Sequence, residues 1–405
     1  MAAGATSIAD RIATQVAIVG AGPAGLLLSH LLHRAGIHSV VVELRSRRHC
    51  EQRIRAGVLE QGTVDLLRGV GLASRLDREG MLHHGIRIGF EGRIHRIPLS
   101  ARAGGRAITV YGQHELVKDI IAQRLADGGS IFFDAANVSV HDCESSSPSV
   151  RFEHDGRAIE LTAHFIAGCD GFHGICRAAI PSHKLQIFER EYPFAWLGVL
   201  AEAPPSSEEL VYMHHSHGFA LFSMRSPQLT RLYLQCRPNE DLAEWPDDRI
   251  WSELRIRFAN AEGWLPNQGP VLQKSVAAMR SFVVEPMQFG RLFLAGDAAH
   301  IVPPAGAKGM NLAVADVAVL AAGLQHWYSH NSMDLLDSYS PLCLRRVWQA
   351  QRFSSWMTLL LHPDSSASPF DARRQIAELE YLTHSAAAAA SFAENYVGRP
   401  LEIPA

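Results

Sequence analysis

Apolar runs and helical periods alternate along the first part of the chain. An apolar run at residues 16–19 leads through glycines into an apolar stretch with helical spacing at 26–33, and a second apolar run follows at 39–42. Short apolar runs of this kind are typical of buried strands, and the succession of strand, helix and strand predicts a parallel sheet. The alternation continues to about Pro181, so we expect a Rossmann-like α/β unit there.

The pattern changes after Lys184. From there to about Met287 the chain reads as strands separated by turns rich in Pro, Ser and His, which predicts an antiparallel sheet forming one wall of a pocket. The expected strands are 192–201, 210–213, 219–224 and 231–236, and helical periods return at 312–328, 346–361 and 376–392. We also expect a surface hairpin turn at 145–148 and a frayed extension at 1–13.

The first apolar run continues into the sequence VAIVGAGPAG, which carries the pattern G-x-G-x-x-G as Gly20, Gly22 and Gly25. Gly20 permits a tight turn, Gly22 lets the backbone approach a pyrophosphate, and Gly25 lets helix and strand pack closely. The helix N-terminus then faces the anion. Glu43 ends the next strand near the spacing at which a carboxylate binds ribose hydroxyls, so the sequence predicts a dinucleotide site.

A second motif indicates which dinucleotide binds. The run RLFLAGDAAH at residues 291–300 reads as a buried strand that ends in Gly296-Asp297, and a long apolar helix begins near Met310. FAD is long enough to need two clamps: Asp297 is placed to accept from ribityl hydroxyls, and the helix directs its positive end at the isoalloxazine ring. The cofactor-binding residues predicted in this segment are Gly296, Asp297, Lys308, Gly309, Met310 and Asn311.

Composition limits the classes of function. The 405 residues predict two or three modules, and a net charge of −3 with a pI near 6.7 gives no field that would hold nucleic acid or an anionic membrane. No apolar run approaches the ~18 residues of a membrane span. The six cysteines lack metal-ligand spacing and the density of a secreted scaffold, so we expect reduced thiols and a cytoplasmic protein. The sequence HHSH at 214–217 predicts a polar turn and no metal site.

The motifs, in this order, resemble the FAD-dependent aromatic hydroxylases, and in particular the branch that acts on 4-hydroxybenzoate. The resemblance extends from about Thr14 to Leu401 and includes RIRAGVLE (53–60), YGQ (111–113), CDGFHG (169–174), RSFVVEPM (280–287) and ENYVG (394–398). It implies FAD as the cofactor and a homodimer. It also adds Arg53, Arg55, Gln113 and Asp170 to the residues expected at the cofactor, although the Asp-Gly turn at Asp170 would mean little by itself.

We therefore predict an α/β fold whose Rossmann-like FAD-binding domain occupies residues 1–183 and is completed by 289–345. An antiparallel-sheet substrate domain is expected at 184–288. A helical C-terminal region at 346–405 is expected to form the dimer interface.

Two strands of the predicted sheet carry candidate substrate residues. Ser223 and Arg225 share one face, as do Arg231 and Tyr233, because strand side chains alternate. A guanidinium beside a hydroxyl can hold a planar carboxylate, but a surface ion pair explains the spacing equally well. The resemblance implies that Ser223, Arg225 and Tyr233 bind the benzoate carboxylate and that Arg231 lies near the flavin ring.

The opposite end of the substrate needs a route for its phenolic proton, because a flavin C4a-hydroperoxide attacks an electron-rich ring. A tyrosine of pKa about 10 cannot deprotonate the phenol, but it can pass the proton along a hydrogen-bonded chain. The resemblance implies that Tyr212 meets the phenolic oxygen, that Tyr396 continues the chain and that His83 delivers the proton to solvent. It also places the Pro304 carbonyl at the phenolic oxygen. Each could otherwise be a satisfied core residue, and Ala305 stands where the best-known relatives carry threonine.

A nicotinamide coenzyme is expected in a surface groove that includes the stretch after the second strand. That stretch reads LRSRRH at 44–49, whereas the family pattern starts with Arg-Gln and has Tyr where His49 stands. A basic cluster suits a 2′-phosphate, so we favour NADPH over NADH, and a solvated basic face that binds either weakly is the alternative. The residues expected there are Arg45, His49, His173 and Arg177, with Arg47 and Arg48 in the same cluster.

The expected function is a flavin-dependent monooxygenase that converts 4-hydroxybenzoate, NADPH and O2 into 3,4-dihydroxybenzoate (protocatechuate), NADP and water. A hydroxylase of another hydroxybenzoate or aminobenzoate is the nearer alternative. A non-enzymatic flavin-binding sensor of an aromatic acid is the more distant one, because a sensor does not need the set Tyr212, Tyr396 and Pro304.

Overall fold

The computed structural model describes residues 10–53, 55, 57–364 and 366–403. Its strands in chain order are β1 (Asp10–Ala13), β2 (Val16–Val19), β3 (Ser39–Val42), β4 (Val58–Glu60), β5 (Met81–His83), β6 (Ile86–Phe90), β7 (Arg93–Ile97), β8 (Ile108–Val110), β9 (Ser130–Phe132), β10 (Ala136–His141), β11 (Ser149–His154), β12 (Arg157–Thr162), β13 (Phe165–Gly168), β14 (Gln186–Glu202), β15 (Val211–Met213), β16 (Ala220–Met224), β17 (Leu229–Cys236), β18 (Val271–Glu285), β19 (Gln288–Phe289), β20 (Leu292–Leu294) and β21 (His300–Ile301).

The helices are α1 (Pro23–Arg34), α2 (Arg47–Gln52), α3 (Gln61–Gly69), α4 (Ser74–Glu79), α5 (Leu99–Arg102), α6 (Gln113–Ala126), α7 (Asp247–Arg257), α8 (Gly309–His330), α9 (Asp334–Asp337), α10 (Tyr339–Leu361), α11 (Pro369–His384) and α12 (Ala386–Val397). None of the helices in these residue ranges is both long and apolar enough to cross a membrane.

A six-stranded sheet forms the first core, in the order β19-β20-β13-β2-β3-β9. Its strands from β20 to β9 are parallel, as the apolar runs predict, and β19 pairs antiparallel with β20. Every residue of β2 is buried, because α1 packs against β2 and β3, and α8 in turn packs against α1. Gly20 has a φ of 104°, and a Cβ at Gly25 would overlap the carbonyl oxygen of Gly20. The predicted tight turn and close helix packing are thus confirmed.

An eight-stranded sheet forms the second layer, in the order β21-β18-β14-β17-β16-β15-β6-β7. The four strands expected between 192 and 236 are present as β14 to β17, and β14, β17, β16 and β15 pair antiparallel in turn. The sheet also takes β6 and β7 from residues 86–97, and β6 pairs in parallel with β15. The substrate sheet is therefore not confined to the expected range 184–288.

Several local expectations meet different outcomes. The turn at 145–148 does join the antiparallel pair β10 and β11. Residues 1–9 of the expected extension lie outside the described residues, whereas 10–13 form β1, which pairs with β12. The single helix expected at 376–392 is two helices, because the Ser385 side chain accepts from the Ala388 N–H and caps α12. Helix α7 was not expected inside the strand-like region.

Candidate active site

A cavity of about 820 Å³ opens where the parallel strands β2, β3, β13 and β20 end. Ligands of open α/β sheets bind outside the carboxyl ends of the strands, so this is where the two predicted clamps should meet. Many of the predicted cofactor and coenzyme residues line it, and so does Pro304, predicted at the substrate: the former are Gly20, Gly22, Glu43, Arg45, His49, Arg53, Arg55, Gln113, Asp170, His173, Gly296, Asp297, Gly309 and Met310.

The first clamp is built from the turn after β2 and the end of β3. Glu43 Oε2 accepts from the Ala21 N–H at 2.6 Å and Oε1 from the Arg45 N–H at 2.7 Å. These bonds fix the carboxylate and leave lone pairs for ligand hydroxyls. A Cβ at Gly22 would meet nothing within 4 Å, so the backbone before α1 is open to the cavity. The residues fit the pyrophosphate and ribose of a dinucleotide.

Asp170 stands at the edge of the cavity in the turn after β13. Its Oδ2 accepts from the Cys176 N–H at 2.9 Å, while Oδ1 is buried and has no partner among the described residues. Burial raises the pKa of this carboxyl. A Cβ at Gly174 would overlap the Asp170 side chain, so the turn is built around it. The Asp170 carboxylate thus mainly holds the turn that forms this wall of the cavity.

The second clamp is a short 3₁₀ turn followed by the N-terminus of α8. Gly296 adopts a φ of 64°, and Asp297 next to it is half exposed, 3.7 Å from the Arg55 guanidinium. Gly309 and Met310 in the first turn of α8 also line the cavity. The positive end of a long helix therefore faces the far end of the space, where it would stabilise negative charge on a bound ring.

Two side chains near this helix that were predicted at the cofactor make other contacts. Lys308 donates to Glu60 Oε1 at 2.6 Å and to the Tyr396 carbonyl at 3.0 Å, and burial lowers its pKa. Asn311 donates to the carbonyls of Val58 and Ala307. Both side chains thus complete buried contacts between α8 and other segments and do not line the cavity.

Arg177 and Arg231 also lie outside the cavity lining. Arg177 donates to the carbonyls of Ala298 and Phe172, and its guanidinium lies 4.8 Å from the Phe172 ring centroid. Its donors are thus directed at this backbone, and the expected coenzyme contact of Arg177 stays a prediction. Arg231 donates to Ser275 Oγ at 3.2 Å and keeps one buried nitrogen, Nη1, without a partner among the described residues.

The predicted carboxylate clamp is assembled on β16 and β17. Arg225 Nη1 donates to Ser223 Oγ at 2.6 Å and to the Met224 carbonyl at 2.8 Å, and Nη2 donates to the Tyr233 hydroxyl at 3.2 Å. Burial lowers the pKa of Arg225, and its Nε is buried without a partner. Among the described residues no carboxylate lies within 4 Å of this guanidinium. A largely buried cation without a counter-ion is suited to an anionic ligand.

The predicted proton chain begins with two buried tyrosines. The hydroxyls of Tyr212 and Tyr396 are 2.6 Å apart, and the Tyr212 hydroxyl lies 3.4 Å from the Ala305 carbonyl. Burial raises the pKa of both phenols, so both are neutral and can each donate and accept. The Pro304 carbonyl accepts from the Ala307 N–H at 2.9 Å and keeps a lone pair.

His83 differs from the expected proton exit. The ring is 1% exposed, neither nitrogen has a hydrogen-bond partner among the described residues, and burial lowers its pKa to about 4. His83 is buried because it lies at the end of β5, where it pairs with Ile108 of β8. His84, the next residue, is exposed and bonds Ser100. The structure therefore does not bring His83 to the surface.

The coenzyme cluster divides into free and paired arginines. Arg45, His49 and His173 line the cavity mouth. Arg47 pairs with Glu51 at 2.6 Å, and Arg48 donates to the Gln52 side chain along α2. Of the three arginines, Arg45 is the one whose guanidinium makes no hydrogen bond or ion pair within the described chain.

Sequence reasoning gave no role to two further lining residues. Arg280 lines the cavity, lies 4.9 Å from the Phe172 ring centroid and pairs with Glu189 at 3.3 Å. His114 lines it beside Gln113. Arg280 opens one of the runs that carry the resemblance, which was the available signal, whereas nothing distinguished His114.

Comparison with known proteins was made against families, curated proteins and solved structures. A family model described as FAD binding domain matches residues 13–354. The p-hydroxybenzoate hydroxylase of Acinetobacter baylyi (strain ATCC 33305 / BD413 / ADP1) is 49% identical over 390 residues, which is 96% of each chain. A 3-(3-hydroxy-phenyl)propionate/3-hydroxycinnamic acid hydroxylase of Mycolicibacterium gilvum (strain PYR-GCK) is 25% identical over 80% of this chain and 56% of that protein.

Among solved structures, p-nitrophenol 4-monooxygenase from Pseudomonas putida DLL-E4 matches with a TM-score of 0.81. It is 18% identical, and the match covers 96% of this chain and 99% of that one. At this identity the likeness shows the fold alone.

Proposed function

Since this chain belongs to the FAD-dependent aromatic hydroxylases, we propose that it converts 4-hydroxybenzoate, NADPH, H⁺ and O2 into 3,4-dihydroxybenzoate, NADP⁺ and water. Family membership makes FAD its cofactor and NAD(P)H its co-substrate. The relative at 49% identity is a p-hydroxybenzoate hydroxylase, which supports the proposed substrate. The position of hydroxylation and the choice of NADPH are the finer parts of the proposal.

The unpaired guanidinium of Arg225 is the observation that carries the substrate assignment. A carboxylate can take the place of the missing counter-ion, with the hydroxyls of Ser223 and Tyr233 on either side. Charge-assisted contacts of this kind fix the plane of the ligand as well as its position. A ring held by its carboxylate presents its opposite edge to the rest of the pocket.

The tyrosine pair supports a phenol at that opposite edge. Tyr212 can accept the substrate proton while donating its own to Tyr396, because the two oxygens are 2.6 Å apart and both groups are neutral. Tyr396 would in turn release its own proton to solvent. The phenolate left on the substrate would be electron-rich at the carbon next to the oxygen. Bound FAD would supply the activated oxygen that such a carbon attacks. The Pro304 carbonyl, at the cavity wall, would add electron density beside the phenolic oxygen.

The cavity mouth supports NADPH as the reductant. Arg45 is exposed there and has no partner in the described chain, so it can bind a 2′-phosphate, and His49 and His173 lie on the same lining. NADH lacks that phosphate.

We also propose a homodimer formed through residues 346–405. Helix α11 in this region exposes Phe370 by 74% and Tyr381 by 58%, and burial of these two aromatic side chains against a second copy would remove apolar surface from water. Sedimentation at several concentrations should give twice the chain mass.

The test is an assay of product by chromatography against a panel of hydroxybenzoates and aminobenzoates, with NADPH consumption followed in parallel. We expect 3,4-dihydroxybenzoate from 4-hydroxybenzoate, in step with NADPH. If another aromatic acid is the best substrate, that acid replaces 4-hydroxybenzoate in the proposal. NADPH consumption that no aromatic acid changes, with no product from any, would refute hydroxylation and leave a flavin-binding sensor.

A further inference from the structure

A single buried carboxylate oxygen on helix α8 binds the 3₁₀ turn of the second clamp. Asp316 is 1% exposed, and its Oδ2 accepts from the Gly296 N–H at 2.9 Å and lies 2.7 Å from His300 Nε2. Asp316 and His300 do not line the cavity as described. Their contacts thus connect parts of the protein and leave the ligand space untouched.

The two bonds enclose the segment that carries Asp297. Gly296 begins the 3₁₀ turn in a left-handed conformation, and His300 ends the segment where β21 pairs with Val283 of β18. Both ends are tied to one atom on α8. The position of Asp297 relative to the N-terminus of that helix is therefore set by Asp316.

The groups around Asp316 suit a buried carboxylate. Burial opposes the charged form of His300, but the Asp316 carboxylate outweighs burial and raises the pKa of His300. The thiol of Cys343 lies beside Asp316, and burial together with this carboxylate raises the thiol pKa well above its usual range. The surroundings of Asp316 therefore supply two groups that can donate a hydrogen bond.

We propose that Asp316 and His300 are positioning residues for the cofactor, which hold the Gly296–His300 turn so that the Asp297 carboxylate meets the ribityl hydroxyls of FAD. The inference rests on the expected ribityl contact of Asp297. It assigns no contact with FAD to Asp316 or His300 themselves. Their effect on FAD must then pass through Asp297.

A double-mutant cycle on FAD binding tests that dependence. Apoprotein carrying Asp316→Ala, Asp297→Ala or both is titrated with FAD, and quenching of flavin fluorescence gives the dissociation constant. Each single change should raise Kd at least tenfold, and the double change should raise it no further than the larger single effect. Effects that multiply would overturn the proposal, because the two residues would then act independently.

Two further variants separate positioning from folding. His300→Ala removes one of the two bonds and should weaken FAD binding less than Asp316→Ala, while His300→Gln, whose amide can still donate, should restore most of the affinity. A second double-mutant cycle, which combines His300→Ala with Asp297→Ala, replaces the first cycle if Asp316→Ala does not fold. The visible circular dichroism of bound flavin should shift in the same way for Asp297→Ala and His300→Ala.

Tyr339→Phe is the matched control. Its hydroxyl donates to the Leu294 carbonyl at 2.7 Å, two residues before the turn, so its loss removes a buried bond without freeing Asp297. It should lower stability to urea and leave the FAD Kd unchanged. If Asp297→Ala leaves the Kd unchanged, the ribityl contact fails and the proposal with it. If Asp297→Ala weakens FAD binding and both Asp316→Ala and His300→Ala do not, the proposal alone fails.

Discussion

Replacing Arg225 by methionine should affect substrate binding and stability in different ways. The guanidinium donates to Ser223, to the Met224 carbonyl and to Tyr233, and it has no carboxylate partner in the described chain. Methionine keeps an unbranched side chain of similar length and removes the charge. The variant therefore separates the contribution of the cation to the ligand from its contribution to the fold.

The binding loss follows from the charge-assisted contact. Hydrogen bonds to a charged partner contribute about 1.5–3 kcal/mol, which corresponds to a rise in the Kd for 4-hydroxybenzoate of about tenfold to about 150-fold. Stability should change by less than about 1 kcal/mol, because removing an unpaired buried charge offsets the loss of its hydrogen bonds. The lowered pKa of Arg225 has the same cause, since burial opposes the charged form.

Kd is measured by titration of flavin absorbance, and the free energy of unfolding by urea in the absence of substrate. Arg257→Met is the matched control. Arg257 is a buried arginine of the same layer that pairs with Glu253 at 3.0 Å and donates to the Phe219 carbonyl. The Arg257→Met variant should lose about 2–4 kcal/mol of stability and keep the affinity of the protein for substrate. Retained affinity in Arg225→Met would move the carboxylate site elsewhere, and a large loss of stability would make Arg225 a structural residue.

Three other outcomes are expected. The variants Tyr212→Phe and Tyr396→Phe should each consume NADPH and O2 but release peroxide in place of hydroxylated product. An oxygen electrode combined with product analysis measures this. A normal product yield in both variants would require another proton route. Arg45→Glu should raise the KM for NADPH far more than the KM for NADH, and the difference should grow at low salt. Arg47→Glu, at an arginine that is already ion-paired, should change either KM little. Equal effects of the two substitutions would mean that the cluster is a solvated basic face. Burial lowers the pKa of His362 to about 3. Between pH 6.5 and 3 the unfolded chain therefore binds a proton at this histidine that the native state does not. The stability that is present above pH 6.5 is lost as the pH falls towards 3. His362→Gln should flatten urea-derived stability between pH 7 and 5, and an unchanged slope would contradict the assignment.

Local rules explain what could be predicted from the sequence. The glycines around Gly20 were identifiable because a tight turn and a close helix leave no room for a side chain, and the structure shows that overlap at Gly25. The shared face of Ser223 and Arg225 follows from strand alternation, which depends only on residues two apart. The contact between Arg225 and Tyr233 does not follow from strand register, because Tyr233 lies opposite Leu221 and the Arg225 side chain has to reach along the sheet to its hydroxyl.

Contacts between distant parts of the chain explain what could not. Lys308 lies in a glycine-containing cofactor motif, but its partner Glu60 is 248 residues away, and no local pattern connects them. The same holds for β6, which joins the substrate sheet from a region assigned to the other domain. His83 was expected to deliver a proton to solvent, but its strand β5 pairs with β8 and the ring is buried.

The buried cations of this protein differ in what neutralises them, and that difference relates stability to function. Lys308 and Arg257 have carboxylate partners within the chain, so their contribution is complete in the free protein. Arg225 has none among the described residues, so its charge is compensated only when an anion arrives. A ligand that binds the native state alone stabilises it by about 2.7 kcal/mol at one hundred times its Kd. A free protein with this uncompensated cation therefore lies below its attainable stability, and under the proposed function the substrate carboxylate would supply the missing counter-ion.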